Sequence, residues 1–337
     1  MYRARSIVGL ILMGLLYWPA VDQSSAQDLK YPLRVGVILP LSGGFAAYGT
    51  LVKKGIESSR QAGIELIYED DACDTTKALS AYKRLTDVHN VRFIIGPSCG
   101  TQQKVLAPLF ARNQQLAMLT SSSSEELFRL SKGRVFASQY SIEEESRYNA
   151  GLMNERGLKK ALLVYFDNEF SRAHEHTFRQ AFKGQVLESI TFSALDAASM
   201  PAIALKIRQR APDALYLPDV TPLLHGLLTQ LRRLGLGELP VYSVYSAQMD
   251  EVIKVEGANA ETLLYSYPDI AEQDAIAYFP ALGARLFFQA IGHCSGEVDC
   301  TAAELKAKSQ FNHMNILQSP LTLKTVRNGK FVEQQAR

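Results

Sequence analysis

The chain has 337 residues, 47% of them apolar and 21% charged, with a formal net charge of +2. That length suits two domains, each with a sizeable core, and the near-neutral balance gives no footing for a nucleic acid or other polyanion as partner. At the N-terminus, Arg3 and Arg5 precede an uninterrupted apolar run, Ile7–Trp18, and small residues follow at Ser24, Ser25 and Ala26. These are the three parts of a secretory signal peptide, with cleavage expected near Ala26 and a mature chain from Gln27. The run is shorter than the roughly 20 apolar residues of a membrane span, and no later segment is expected to cross a bilayer. No cysteine follows the run, which argues against a lipid anchor.

Past the leader, short β-type runs alternate with amphipathic helical ones. Strands are expected at Arg34–Leu39, Ile64–Glu69, Phe93–Ile95 and Leu116–Leu119, with helices at 46–61, 75–87 and 101–113 between them. The pattern restarts after Tyr140. Helices are expected at 143–155, 170–182, 202–210, 222–234 and 275–291, and strands at 161–165, 185–190, 214–217, 241–244 and 262–265. Asn328-Gly329, between Leu321–Val326 and Phe331-Val332, signals a closing hairpin. Alternation of this kind gives parallel sheets covered by helices on both faces. The fold class is therefore α/β, with two doubly wound, Rossmann-like units in tandem, and a ligand cleft is expected where their strand carboxyl ends face each other. The connection near 138–141 is short, as a hinge would be.

Three loops could carry chemistry. Pro40–Gly49 is glycine-rich but has no phosphate-loop spacing. Glu69-Asp70-Asp71-Ala72-Cys73-Asp74 reads as a solvated acidic turn, with Asp74 capping the helix that begins at Thr75. Gly96–Thr101 and Thr120–Glu126 place hydroxyls and free amides at helix starts, where anions and carboxylates bind, and Ser123 or Ser124 with Glu126 resembles a capping box. No G-x-S-x-G accompanies the serines, so a serine hydrolase is the weaker reading and no catalytic residue is assigned. His174-Glu175-His176 lacks metal-site spacing, so both histidines are expected at the surface and no metal or cofactor is expected. The four cysteines of an exported chain imply two disulfides with three possible pairings. Cys294 and Cys300 bracket a short polar loop, which makes the local bridge the economical one and leaves Cys73 with Cys99.

LPLSGGFAAYG, YEDDACD, IIGPSCGTQQKVLAPLFA, the serine run ending in Glu-Glu-Leu, and YFDNEFSRA occur in that order. Together they resemble the branched-chain amino acid (leucine/isoleucine/valine)-binding class of type I periplasmic binding proteins of ABC transporters, from about Val35 to Val332. EDDACD with the later G-P-x-C is the most specific part. The resemblance implies two lobes joined by a three-strand hinge, 28–141 plus 269–319 and 142–268 plus 320–332. It also implies a Cys73–Cys99 bridge and a monomer that delivers a small ligand to a membrane permease and ATPase.

Carried over one position at a time, the family's pocket falls on Tyr48, Gly100, Thr101, Ser121, Ser123, Phe170, Val220 and Tyr245. Two positions depart from the family. Gly100 stands where relatives have the serine that holds the ligand carboxylate. Tyr245 stands where they have the glutamate that pairs the ammonium, which leaves Asp219 as the available acid. Burying an unpaired ammonium costs several kcal/mol, so a carboxylate without an amine is the expected ligand, ahead of an amino acid held by Asp219 and of a urea or short amide. A periplasmic sensor that reports to a receptor kinase is the alternative use of the same cleft.

Overall fold

The computed structural model describes residues 32–192, 197–218, 226–270, 273–308 and 310–334. The first half of the chain winds β1 (Leu33–Leu39), α1 (Ala46–Glu57), β2 (Ile64–Asp70), α2 (Thr75–Lys83), β3 (Phe93–Ile95), α3 (Gly100–Arg112), β4 (Leu116–Leu119), α4 (Glu125–Leu130) and β5 (Val135–Ala137). These strands form one parallel sheet in the order β2-β1-β3-β4-β5. In β1 every residue from Val35 to Leu39 is buried, as a strand covered on both faces requires, whereas β2 lies at the edge and stays half-exposed.

Then come α5 (Ile142–Glu155), β6 (Lys160–Phe166), α6 (Glu169–Ala181), β7 (Gln185–Phe192), α7 (Met200–Arg210), β8 (Ala214–Leu217), α8 (Leu227–Arg233), β9 (Val241–Ser243), α9 (Asp250–Glu256) and β10 (Leu263–Pro268). After α10 (Ala275–His293) and α11 (Val298–Ala307), the hairpin β11 (Leu321–Arg327) and β12 (Lys330–Glu333) closes the second sheet, ordered β12-β11-β10-β9-β8-β6-β7. Asn328 and Gly329 both have positive φ (49° and 67°), the backbone that a tight hairpin turn demands.

The chain crosses between the sheets three times: after β5, between β10 and α10, and before β11. The crossings are tied to one another and to the lobes, through a bridge between Ser123 and Ser141 and a hydrogen bond from Asp269 N–H to the Pro320 carbonyl (2.8 Å). Helix α10 has the length and apolarity of a membrane span, contrary to the expectation that no later segment would. Here it is a core helix, burying Phe279, Phe287 and Phe288. It lies against α1 so closely that a Cβ on Gly55 would stand 2.2 Å from the Ala277 carbonyl oxygen.

Four elements were not legible in the sequence: α4, β5, α9 and α11. The first two are six and three residues long, too short for a period to show. Helix α11 starts inside the Cys294–Cys300 loop, with Glu297 accepting from the amides of Asp299 and Cys300. The Cys73–Cys99 and Cys294–Cys300 pairs are both bonded, each with Cα atoms 5.7 Å apart. Of the expected helix 222–234, the structure describes α8, with Gly235 just past its end at φ 78°.

Candidate functional site

A cavity of about 130 Å³ lies between the two sheets, at the carboxyl ends of their strands. This is a little below the roughly 150 Å³ that takes one benzene ring, so an aromatic acid would enter with a small outward shift of the walls. From the first lobe it is lined by Phe45 and Tyr48 after β1, Cys73 after β2, Ser98 to Gln102 at the β3–α3 junction, and Ser121 after β4. From the second it is lined by Phe166, Asn168 and Phe170 around the start of α6, and by Tyr245 and Ser246 after β9. None of these described residues carries a formal charge.

The polar side of the cavity is the start of α3. Its N-cap, Cys99, is bonded to Cys73 and gives no side-chain hydrogen bond, so among the described residues the first-turn amides of this thirteen-residue helix have no capping side chain. Beside them Ser98 is 7% exposed, and its Oγ has no hydrogen-bond partner among the described residues. Ser121 Oγ, next to it, donates to the Ser98 carbonyl and accepts from Gln103 Nε2, both at 2.9 Å. Unpaired donors converging on a helix start suit a carboxylate.

The apolar side is aromatic. Tyr48 and Tyr245 lie close enough across the cleft to influence each other's phenol, with the Ser121 hydroxyl beside Tyr48 and the main chain of Ser122 beside Tyr245. Tyr245 packs edge-on against Tyr140 (6.3 Å between ring centres), and Phe170 against His174 (4.6 Å). Burial raises both phenols above their usual range, so they remain neutral donors. The lobes also meet at the rim, where Lys104 of α3 pairs with Glu169 of α6 (2.8 Å) and with Glu126 (3.2 Å).

The sequence matches the family model described as "periplasmic binding protein" over residues 32–308. The chain belongs to this family. No curated protein matches the sequence. Among solved structures, a leucine-binding protein from Thermotoga maritima is similar at 20% identity and a TM-score of 0.80, over 90% of this chain and 98% of that one. A solute-binding protein of an R. palustris ABC transporter, in complex with benzoate, is similar at 18% identity and 0.80, over 90% and 95%. A branched-chain amino acid transporter substrate-binding protein of Streptococcus pneumoniae, in complex with isoleucine, is similar at 18% identity and 0.77, over 89% and 97%. The fold is the type I periplasmic binding protein fold.

Within this periplasmic binding protein, Tyr48, Gly100, Thr101, Ser121, Phe170 and Tyr245 come together around the cavity. Ser123 does not: it is buried, and its hydroxyl donates to the Ser121 carbonyl (3.0 Å), shaping the loop from behind. Asp219 and Val220 lie outside the described residues. Gly100 has a steric reason. A Cβ there would stand 3.2 Å from Phe170 N and 3.4 Å from Phe170 Cβ, so with the lobes this close a serine would fit only if Phe170 gave way by a few tenths of an ångström. Sequence reasoning missed Phe45, Ser98, Phe166, Asn168 and Ser246. Ser98 and the Phe166–Asn168 segment lay inside stretches already singled out, at strand carboxyl ends, which was the available signal.

Two expectations are corrected. His174 is wholly buried, whereas His176 is exposed as expected. The acidic turn after β2 is only partly solvated. Asp74 does cap α2, accepting from Lys77 N–H (2.8 Å), but Asp70 accepts from the amides of Leu41, Ser42 and Ala72, and Asp71 is fully buried. Asp71 Oδ1 accepts from Cys73 N–H (3.0 Å), while Oδ2 has no partner among the described residues. Burial pushes its pKa up to about 6, against 3.8 for a free aspartate. The folded state therefore favours the protonated acid, and stability falls as pH rises through the interval from 3.8 to 6. Asp71→Asn keeps the acceptor for Cys73 and removes the charge. It is expected to stabilise the protein at neutral pH by up to about 3 kcal/mol, the free energy of that shift. Thermal melts followed by circular dichroism check this: the variant should melt higher at about pH 7.5, and the two curves should converge near pH 4.

Proposed function

We propose that this protein is the periplasmic substrate-binding component of an ABC transporter, and that it captures a small carboxylate without an ammonium group, an aromatic one for preference. Lobe one comprises residues 28–141 plus 269–319 and lobe two 142–268 plus 320–332. The leader is removed near Ala26, and the mature protein acts as a monomer that presents its closed form to a permease and ATPase. The observation that carries the ligand class is the start of α3, where uncapped amides and the unpartnered Ser98 hydroxyl offer donors to an anion. The aromatic walls, Phe170, Tyr48 and Tyr245, would cover a flat ring, and the R. palustris relative of the same fold holds benzoate.

Lobe closure removes water from the donors, so an acceptor of the wrong shape leaves them unpaired and is rejected. Hydrolysis finds no support in the serine run. Ser121 donates to a main-chain carbonyl, as does Ser123, and Ser124 donates to Glu143 (2.7 Å), while the Ser122 hydroxyl is buried with no base or other hydrogen-bond partner against it among the described residues.

A thermal-shift panel of matched pairs tests the proposal: benzoate against phenylalanine, and isovalerate against leucine. A ligand at a hundred times its dissociation constant adds about 2.7 kcal/mol. The expected result is a shift of several degrees with the amine-free member, the larger with benzoate. Shifts confined to the amino acids would reverse the assignment and point to Asp219 or another acid.

A further inference from the structure

Behind the second-lobe wall of the pocket lies a buried polar pair. Glu145 on α5 and His174 on α6 have no exposed surface. Glu145 Oε1 accepts from the Tyr245 N–H (2.9 Å), the Ser266 hydroxyl (2.7 Å) and the Tyr140 hydroxyl (3.3 Å). Glu145 Oε2 and His174 Nε2 are 3.8 Å apart, and neither has a hydrogen-bond partner among the described residues.

The protons can be counted. Ser146 Oγ donates to the Ile142 carbonyl (2.8 Å), so at its 2.7 Å contact with His174 Nδ1 it can only accept. The Tyr216 hydroxyl also lies 3.0 Å from Nδ1, and it has the Ser146 and Asn149 side chains beside it to receive its own hydrogen. Nδ1 therefore carries a hydrogen, and in a neutral ring Nε2 is left as an acceptor. An ionised Glu145 would set a lone pair against that acceptor, with both side chains fully buried. A proton on Oε2, on the side that faces Nε2, removes the conflict.

We infer that the buried Glu145–His174 pair carries a single proton, on the Glu145 oxygen that faces His174 Nε2, and that this proton fixes both second-lobe walls of the pocket, making Glu145 a positioning residue for ligand capture. The inference rests on the pocket assigned above. Each wall leans on one member of the pair. The main chain of Tyr245 hangs on Glu145, and the ring of Phe170 rests against His174.

Burial favours the uncharged arrangement, pushing Glu145 up to about 8 and holding His174 down to about 3. The other titratable groups facing the pair are Tyr140 in the first crossing, Tyr216 on β8, Tyr245 after β9 and Glu144 on α5. The three tyrosines are pushed well above their usual range, so on raising the pH the Glu145 proton leaves before theirs. If only the protonated pair supports the closed pocket, affinity falls about tenfold per pH unit above that point, the slope for one proton.

The test uses the mature protein, benzoate as probe, calorimetry from about pH 6 to pH 10, and 15N-labelled histidine. In Glu145→Gln the carbonyl still accepts from Tyr245, and the amide NH₂ turns a hydrogen toward His174 Nε2 as the protonated acid does. This variant should match the wild type at pH 7 and keep its affinity at about pH 9.5, where the wild type has lost tenfold or more. Glu145→Leu should bind more weakly at every pH. The His174 ring should show the Nδ1–H form without titrating between about pH 5 and pH 8, and should change near pH 8 in the wild type but not in Glu145→Gln. Parallel pH profiles for wild type and Glu145→Gln, or an Nε2–H ring, would overturn the inference. If benzoate binds at no pH, the ligand class fails, and the histidine spectra still decide whether the pair carries the proton.

Discussion

Alanine at Ser98 should lower affinity for benzoate by a factor of about 10 to 100. Its hydroxyl would give one hydrogen bond to a charged oxygen, worth about 1.5–3 kcal/mol, and a tenfold change takes about 1.4 kcal/mol, whereas the single hydrogen of the neighbouring Ser121 hydroxyl is already given to the Ser98 carbonyl. The two positions separate binding from stability. Ser98 Oγ is buried without a partner among the described residues, so Ser98→Ala removes an unsatisfied group and should leave the melting temperature of the empty protein unchanged or slightly higher. Ser121→Ala breaks two bonds, to the Ser98 carbonyl and from Gln103, and should cost about 1–2 kcal/mol of stability. Calorimetry alongside melting checks both. Unchanged affinity in Ser98→Ala would remove the start of α3 from the site.

The second large effect is structural and tests how lobe one is assembled. Gly55→Val should destabilise the protein by at least about 3 kcal/mol, the upper range for overpacking, and lower its melting temperature by roughly 6–12 °C. The first methyl-sized atom added at Gly55 meets a backbone oxygen, Ala277 O, and the next neighbour is Pro280 Cβ at 3.0 Å. Neither can swing away, so α1 and α10 must separate. An unchanged melting temperature would mean that the returning segment 275–307 does not lie on α1, and would leave our division into lobes without its main contact.

Much of the scaffold was legible because single residues carry single physical demands. The β-branched run of β1 could only be a covered strand. Asn328-Gly329 could only make a tight turn, and Asp74 fell where an N-cap was needed. The site was legible to the extent that strand carboxyl ends are. Tyr48, Gly100, Thr101, Ser121, Phe170 and Tyr245 lie there, and Ser123 shares the β4 loop but turns inward. Which residue of a loop faces the cleft is set by the angle between the lobes, and no local pattern encodes that angle. This is why Ser98 and Phe166 were passed over and Ser123 was included.

His174 was misplaced for another reason. Its neighbours Ser171 and Phe178 lie three and four residues away and are also buried, so the stripe was present in the helical period. A histidine on that stripe is legible as buried only once its partners Ser146 and Tyr216, from other elements, are known. Asp71 is similar. Nothing in Glu-Asp-Asp-Ala-Cys-Asp tells the inward acid from its solvated neighbours before the Cys73–Cys99 bond folds the turn back.

The central claim is that a carboxylate sits on the start of α3 with its ring against the aromatic walls. A crystal structure of the mature protein grown with benzoate tests it most directly. The account predicts both carboxylate oxygens within about 3 Å of Ser98 Oγ and the first amides of α3, the usual span of such bonds, with the ring between Phe170 and the Tyr48–Tyr245 pair. A carboxylate bound to the second lobe, or a ligand outside this cavity, would contradict it.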